Sequence, residues 1–386
     1  MVKPRESMAF ASAGLVLITV LVSCTAAESG LKRHDLFTIP LGTLPGELDW
    51  FYHGSATGMA DIQTRDGLIY ISSSHRGKIM VFNSYGELLT IVYDPSRNPV
   101  PARSRGGEFN SSVSSWPLRS PQIITAFNGG FLVGDRVEDK FREELDERST
   151  VFNRVVLRFD REGNYLGHLG REGFGGSPFP DIFAIDIRHD DVIVVTCRSI
   201  VSGTWFSYWY TEDGYPIAMV QIKNNQLPDF VDGKDVSIQA LRPDPREWSL
   251  HLKTDAYDKT ESGRELKASL HTLDLSTLEY AESISLPYAE GLTDMGYPPS
   301  PPEYLGTVLN GSHAMLYPES LNTYRISMMD ARGRVTHSGR LEMDDDSKLY
   351  RRFKIQNNGL LTGMFFGDSR ATISWWRLDE ILNKKR

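Results

Sequence analysis

Gln122, Asp181, Asp235 and Glu303 each stand at the head of an alternating apolar run, and their side chains offer the amide and carboxylate oxygens that a hard divalent cation such as calcium takes. Gathered at one point, they would hold a metal able to polarise a substrate for hydrolysis or elimination. A transition metal is not indicated, because the nine histidines form no His-x-His or His-x-x-x-His pair. Asp344, Asp345 and Asp346 are adjacent, so their carboxylates point in different directions and lack the spacing of a dedicated calcium loop. Covalent chemistry has no readable signature: the chain contains no Gly-x-Ser-x-Gly elbow, no phosphate-binding loop and no Ser-x-x-Lys set. Recognition is a different matter. Arg97, Arg103, Arg105 and Trp116 fall in one segment rich in Ser and Pro, residues 94–118, and a basic arm tipped by an aromatic ring would dock an acidic protein or polymer.

The 386 residues carry a formal charge of −8, which gives no overall basic field and removes nucleic acid from the partners to be considered. Met8 to Val22 is apolar and uncharged behind Lys3 and Arg5, the layout of an export signal, and is short for a membrane span. The residues that follow from its end, Leu21-Val22-Ser23-Cys24, resemble the lipobox of bacterial lipoproteins. The resemblance implies that residues 1–23 are a signal peptide, that Cys24 becomes the first mature residue and carries acyl chains such as palmitate, and that residues 24–34 are a short tether. Two or more acyl chains hold a protein stably on a membrane without crossing it. The expected location is that of an exported, membrane-anchored lipoprotein. By resemblance to known lipoprotein sorting patterns, Thr25 stands where an Asp can retain the protein on an inner membrane, which implies the outer membrane or periplasmic face. With Cys24 acylated, Cys197 has no disulfide partner and reads as a small buried apolar residue.

The elements that must position these residues follow a repeat. An alternating strand, a tight turn with glycine and a second apolar strand recur plainly at 79–92, 155–168, 207–219 and 324–337. Residues 270–281 keep the polar turn without the glycine, and 373–378 stop before any second strand. Ahead of each lies another hairpin, with turns at Arg65-Asp66-Gly67, Asn128-Gly129-Gly130, His189-Asp190-Asp191, Pro243-Asp244-Pro245, Asn310-Gly311 and Asn357-Asn358-Gly359. Each unit is thus a four-stranded antiparallel meander. Six of them, over 58–93, 121–171, 180–222, 235–288, 303–342 and 350–382, predict an all-β six-bladed β-propeller spanning 35–386. The last unit lacks an outer strand, and residues 36–41 are expected to supply it and close the ring. The phrases Gly67-Leu-Ile-Tyr-Ile-Ser72, Lys78-Ile-Met-Val-Phe-Asn-Ser-Tyr-Gly86 and Arg158-Phe-Asp-Arg-Glu-Gly-Asn-Tyr165 resemble NHL-type propeller repeats. That resemblance implies the fold and leaves the function open, since NHL-type propellers include enzymes, sensors and interaction platforms.

In such meanders the turns after the first and third strands share one face, and the remaining connections share the other. Here the second face receives nearly all the length, at 93–120, 135–150, 223–234, 254–267 and 287–302. Long connections in a compact fold are uncommon without a role. Within one of them, Phe141 and Leu145 lie four apart, which predicts a short helix over 138–148. The reading that follows is a binding or scaffold module that meets a cell-envelope protein or polymer through its long-loop face, with no required cofactor. The alternative places a metal-dependent hydrolase or lyase at the central channel, where several six-bladed enzymes hold a divalent cation, with Gln122, Asp181, Asp235 and Glu303 as ligands. A third reading puts a sugar-like ligand in the channel.

Overall fold

The computed structural model of the chain describes residues 31–49, 59–101, 111–144, 151–169, 179–230, 234–258, 266–289, 299–320, 323–343 and 350–378. Cys24 with its apolar run, Arg103, Arg105 and Asp344 to Asp346 lie outside the described residues. Among the described residues no helix is long and apolar enough to cross a membrane.

Among the described residues six four- or five-stranded sheets follow one another along the chain, antiparallel but for one added edge strand. Their innermost strands are Ala60–Arg65, Ile123–Phe127, Asp181–Ile187, Lys234–Pro243, Glu303–Thr307 and Tyr350–Ile355. Each of these touches the next and the last touches the first, which closes a six-bladed β-propeller. In the sixth blade the chain steps outward through Leu360–Phe366 and Arg370–Arg377, and the fourth strand, His34–Pro40, arrives from the N-terminus. It pairs antiparallel, with His34 opposite Trp375 and Pro40 opposite Arg370, so the expected closing strand is present.

Radial packing explains why one sheet per unit suffices. Among the described residues the buried apolar side chains fall into six clusters, one between each pair of neighbouring blades. Ile62, Ile71, Met80 and Ile91 of the first blade, for example, meet Met364, Phe366 and Ile373 of the sixth, joined by Ile39 of the closing strand. Each such side chain fully removed from water contributes roughly 1.5–3 kcal/mol. Cys197 is one of them, wholly buried between the second and third blades, and burial pushes its thiol well above the usual range.

The turns show why glycine recurs where it does. Asp66 and Gly67 form a two-residue hairpin with φ of 51° and 77°, the mirror-image turn whose twist suits adjoining strands. At the outer turn of the first blade Gly86 has φ of 83°, and a Cβ there would sit 2.7 Å from Cβ of Phe37. Gly163, Gly214 and Gly333 hold the same place in later blades and abut Val92, Leu169 and Ile284 of the preceding blade's outer strand. Phe37 therefore does for the ring junction what those residues do elsewhere, which marks the closing strand as a regular member of the series.

The chain leaving that strand is stapled to the first blade. Lys78 is fully buried, and its Nζ donates to the carbonyls of Leu44 (2.9 Å) and Glu47 (2.6 Å). Burial pulls its amine down to about 8, against the attraction of Asp49 and Glu47. Arg76 adds an ion pair to Asp49 at 2.5 Å.

Two segments differ from their sequence reading. Residues 94–118 do not stay a loop throughout, because Ser112–Ser115 returns as a fifth strand, parallel to Leu88–Tyr93 at the edge of the first blade. The helix expected over 138–148 is absent from the described part. Asp139–Phe141 is a single 3-10 turn, and Glu143–Glu144 pairs with Val151–Phe152. The flanking strands, Gly130–Arg136 and Arg154–Asp160, are already hydrogen-bonded to each other, so prolonging their ladder satisfies the backbone without the costly nucleus of an isolated helical turn.

Candidate functional site

Charged side chains that cross between blades fill the axis. Asp61, at the inner edge of the first blade, accepts Nε of Arg352 (2.8 Å), Nζ of Lys354 (3.0 Å) and the backbone N–H of Ile124 (3.0 Å). Lys354 also donates to the carbonyl of Ile124 at 2.8 Å, so one amine ties the sixth blade to the second across the first. Burial disfavours the Asp61 charge, but Lys354 and Arg352 outweigh it and hold the carboxyl at about 2. Arg242 of the fourth blade grips Asp186 of the third, at 3.1 and 3.2 Å to its two oxygens. At the short-turn mouth, Nδ2 of Asn357 reaches across from the sixth blade to the carbonyl of Ile187 in the third, 3.0 Å away. A polar basin of about 280 Å³ lies over these braces, lined by Gln63, Arg65, Asp186, His189, Lys354 and Gln356 among others.

The four oxygen-bearing residues singled out from the sequence lie at the opposite ends of the innermost strands. Asp181 pairs with Arg154 at 3.1 Å. The carbonyl of Gln122 accepts the Ser72 hydroxyl at 2.9 Å, and its side-chain amide lies 3.4 Å from Ser120 Oγ. Asp235 is exposed at its strand's start. Glu303 is reached by solvent yet ringed by protein: burial pushes its carboxyl up, against the pull of Arg352, Arg242 and Lys253. Among the described residues no group of three or more His, Cys, Asp or Glu side chains converges as a ligand set.

The long-loop face offers a more open site between the first and second blades. Two adjoining cavities of about 350 and 390 Å³ share Asp94 and Arg119 as a common wall. The first is lined by Arg97, Arg136, Val137 and Asp139 as well, and the second by Pro95, Ser96, Ser115, Trp116 and Pro117. Of the four residues assigned to a basic aromatic arm, Arg97 and Trp116 are thus brought together here.

Their roles are more structural than an arm implies. Arg97 pairs with Asp94 through Nε at 2.9 Å, donates to the carbonyls of His75 (3.1 Å) and Arg119 (3.2 Å), and reaches that of Leu118. Trp116 stacks on Tyr165 with centroids 3.9 Å apart and meets Phe159 edge-on at 6.2 Å. The exposed cations of the cleft are instead Arg119 and Arg136, which the sequence reading passed over. One buried carboxylate sets both. Asp135 accepts the backbone N–H groups of Arg119 (2.9 Å) and Arg136 (2.8 Å), with that of Ser120 as a third donor. Burial raises the Asp135 carboxyl, and those three N–H groups and Arg154 pull against it. The signal available beforehand was position: both arginines border the longest connections of the long-loop face. A cleft with two presented guanidiniums and an indole in its lining is suited to carboxylate, sulfate or phosphate groups spaced along an extended ligand.

No family model matches the chain, and no curated protein matches its sequence. Among solved structures, polysaccharide lyase Uly1 superposes with a TM-score of 0.42 at 10% identity, covering 86% of this chain and 92% of that one. The Dos1 propeller gives 0.40 at 14% identity, covering 85% and 70%. The propeller domain of the Trilobed protease from Pyrococcus furiosus gives 0.40 at 8%, covering 83% of each. Likenesses at these scores and identities say nothing of activity.

Proposed function

We propose that the protein is a lipoprotein of the bacterial cell envelope, held on a membrane through acylated Cys24, and that its propeller is a binding module for an acidic polymer of that envelope. The observation that carries the binding reading is the pair of exposed guanidiniums, Arg119 and Arg136, which line one cavity together while Arg119 also lines its neighbour, their backbone N–H groups both held by the buried Asp135 carboxylate. Three arginines face Asp94 and Asp139 in the first cavity, and although Arg97 is paired with Asp94 and Arg119 lies 3.6 Å from Glu138, Arg136 adds a further guanidinium for an anionic group there, whatever the overall charge of −8. The apolar run ending at Leu21-Val22-Ser23-Cys24 supports the anchor.

Titration of the folded protein with polygalacturonate, followed by Trp fluorescence, tests the binding reading. Saturable binding that weakens with salt is expected. Replacing both Arg119 and Arg136 by Ala should weaken it roughly 100-fold or more, since each charge-assisted hydrogen bond is worth about 1.5–3 kcal/mol. Equal affinity in the double variant, or no binding by either form, overturns the proposal. Metabolic labelling with palmitate in a bacterial host tests the anchor separately: the label should be lost on Cys24→Ser.

A further inference from the structure

A second group of side chains, in the fourth blade, has the arrangement of a nucleophile with its base. Strand Leu266–Asp274 places Lys267, Ser269 and His271 on one face by its alternation. His271 is wholly buried. Its Nδ1 lies 2.7 Å from Oγ of Ser283, which precedes the outer strand Ile284–Leu286 and is half-buried. Its Nε2 lies 3.1 Å from Oδ2 of Asp229 and 2.9 Å from Oγ1 of Thr254. Asp229 comes from the crossing between the third and fourth blades, and its other oxygen accepts Nζ of Lys267 at 2.7 Å.

These contacts fix the proton on the ring. A carboxylate held by Lys267 accepts and does not donate, so Nε2 carries the hydrogen and Nδ1 is left with a lone pair facing Ser283. Thr254 Oγ1 can then turn its own hydrogen toward Asp229, 3.5 Å away. Burial lowers the basicity of His271 more than Asp229 restores it, so the ring is neutral and its Nδ1 lone pair is unprotonated.

We infer that Ser283, His271 and Asp229 form a serine nucleophile, its general base and the group that orients the base, able to hydrolyse a carboxylic ester presented at the outer edge of the fourth blade. The ring nitrogens serve in the opposite order from the serine-protease arrangement, with Nδ1 toward the hydroxyl and Nε2 toward the carboxylate. In the acylation step Ser283 Oγ bonds to the carbonyl carbon and its proton passes to Nδ1 of His271. The ester C–O bond breaks, and the departing alkoxide takes that proton as alcohol. Water then attacks the acyl-serine, gives its proton to Nδ1, and releases the carboxylic acid as Ser283 regains its hydrogen. Ester and water become alcohol and acid, with no other reactant. Asp229 is a positioning residue in this scheme, acting through the ring.

The test is to treat the full chain with a fluorophosphonate, which loses fluoride on attack by an activated serine, and to follow p-nitrophenyl acetate hydrolysis beside it. One adduct, mapped by peptide mass to Ser283, is expected. Ser283→Ala should abolish both adduct and hydrolysis in a chain that still unfolds cooperatively, its melting temperature lowered by the unpaired Nδ1 of His271. His271 is buried and its replacement endangers the fold, so Asp229→Asn is the second variant. It should slow labelling by roughly 10²-fold or more, and Asp229→Glu should recover part of the rate. Absence of an adduct on the folded wild-type chain, or labelling of Ser283 at an unchanged rate in Asp229→Asn, overturns the assignment and leaves the three residues as a buried hydrogen-bond network.

Discussion

Asp61 is 1% exposed and charged, and it is the residue on which the axis depends. Removing its charge while Arg352 and Lys354 stay buried leaves two unpaired cations, so Asp61→Asn should destabilise the protein by about 3–5 kcal/mol in urea unfolding. The pH dependence has a defined direction. The folded-state value of about 2 lies below the ordinary 3.8, so the carboxylate adds stability above pH 3.8 that is lost as pH falls through 2. At 1.36 kcal/mol per unit this amounts to about 2 kcal/mol, and the wild-type loss over that window should be absent from Asp61→Asn. None of this was legible beforehand. In the run Ala60-Asp-Ile-Gln-Thr-Arg65 the aspartate has the spacing of an ordinary solvent-facing strand residue, and its partners stand some 290 positions away in a blade that only ring closure brings near. Cys197 was legible for the converse reason: an unbroken apolar run on both sides leaves a thiol nowhere to go but inside.

At the scale of the strand and turn, two glycines separate the effects that fix a hairpin. Gly67 and Gly333 have φ of 77° and 76°, so Ala is strained alike at both, by roughly 1–2 kcal/mol. Space differs between them. A Cβ at Gly67 would meet nothing within 4 Å, whereas one at Gly333 would lie 2.5 Å from Cγ2 of Ile284 in the neighbouring blade. Gly333→Ala should therefore shift the urea midpoint further than Gly67→Ala, and equal shifts would show that the blade contact gives way. Turns of this kind were readable because glycine and alternation are local signals. The strand Ser112–Ser115 was not, since Ser-Val-Ser-Ser has neither an apolar face nor strand composition and pairs only because Leu88–Tyr93 offers it an edge. The cleft was half readable for the same reason: the loops that build it stood out by length, while the backbone clamp of Asp135 on Arg119 and Arg136 leaves no trace in composition.

For the whole molecule, the ring is only as strong as its junction. Deleting residues 31–45 removes the fourth strand of the last blade, the Phe37 seat for Gly86 and one of the two carbonyls that hold Lys78, and should lower the melting temperature severely. An unchanged melting temperature would sink the closure model. The rhythm of six units was legible because each is an apolar meander that cannot bury its faces alone, so number, order and closure all follow from counting hairpins. The contents of the axis were not, because they depend on which blades lie opposite one another.

The direction of the closing strand has a geographic consequence. His34 pairs near the end of Arg370–Arg377 and Pro40 near its beginning, so the chain enters the propeller on the short-turn side and climbs toward the long-loop side. Ten residue steps lead from Cys24 to His34, a reach of at most about 35 Å when fully extended. An acylated Cys24 would thus moor the molecule by its underside, like a buoy on a short line. The cleft of Arg119 and Arg136 would look away from the bilayer, into the space where envelope polymers lie.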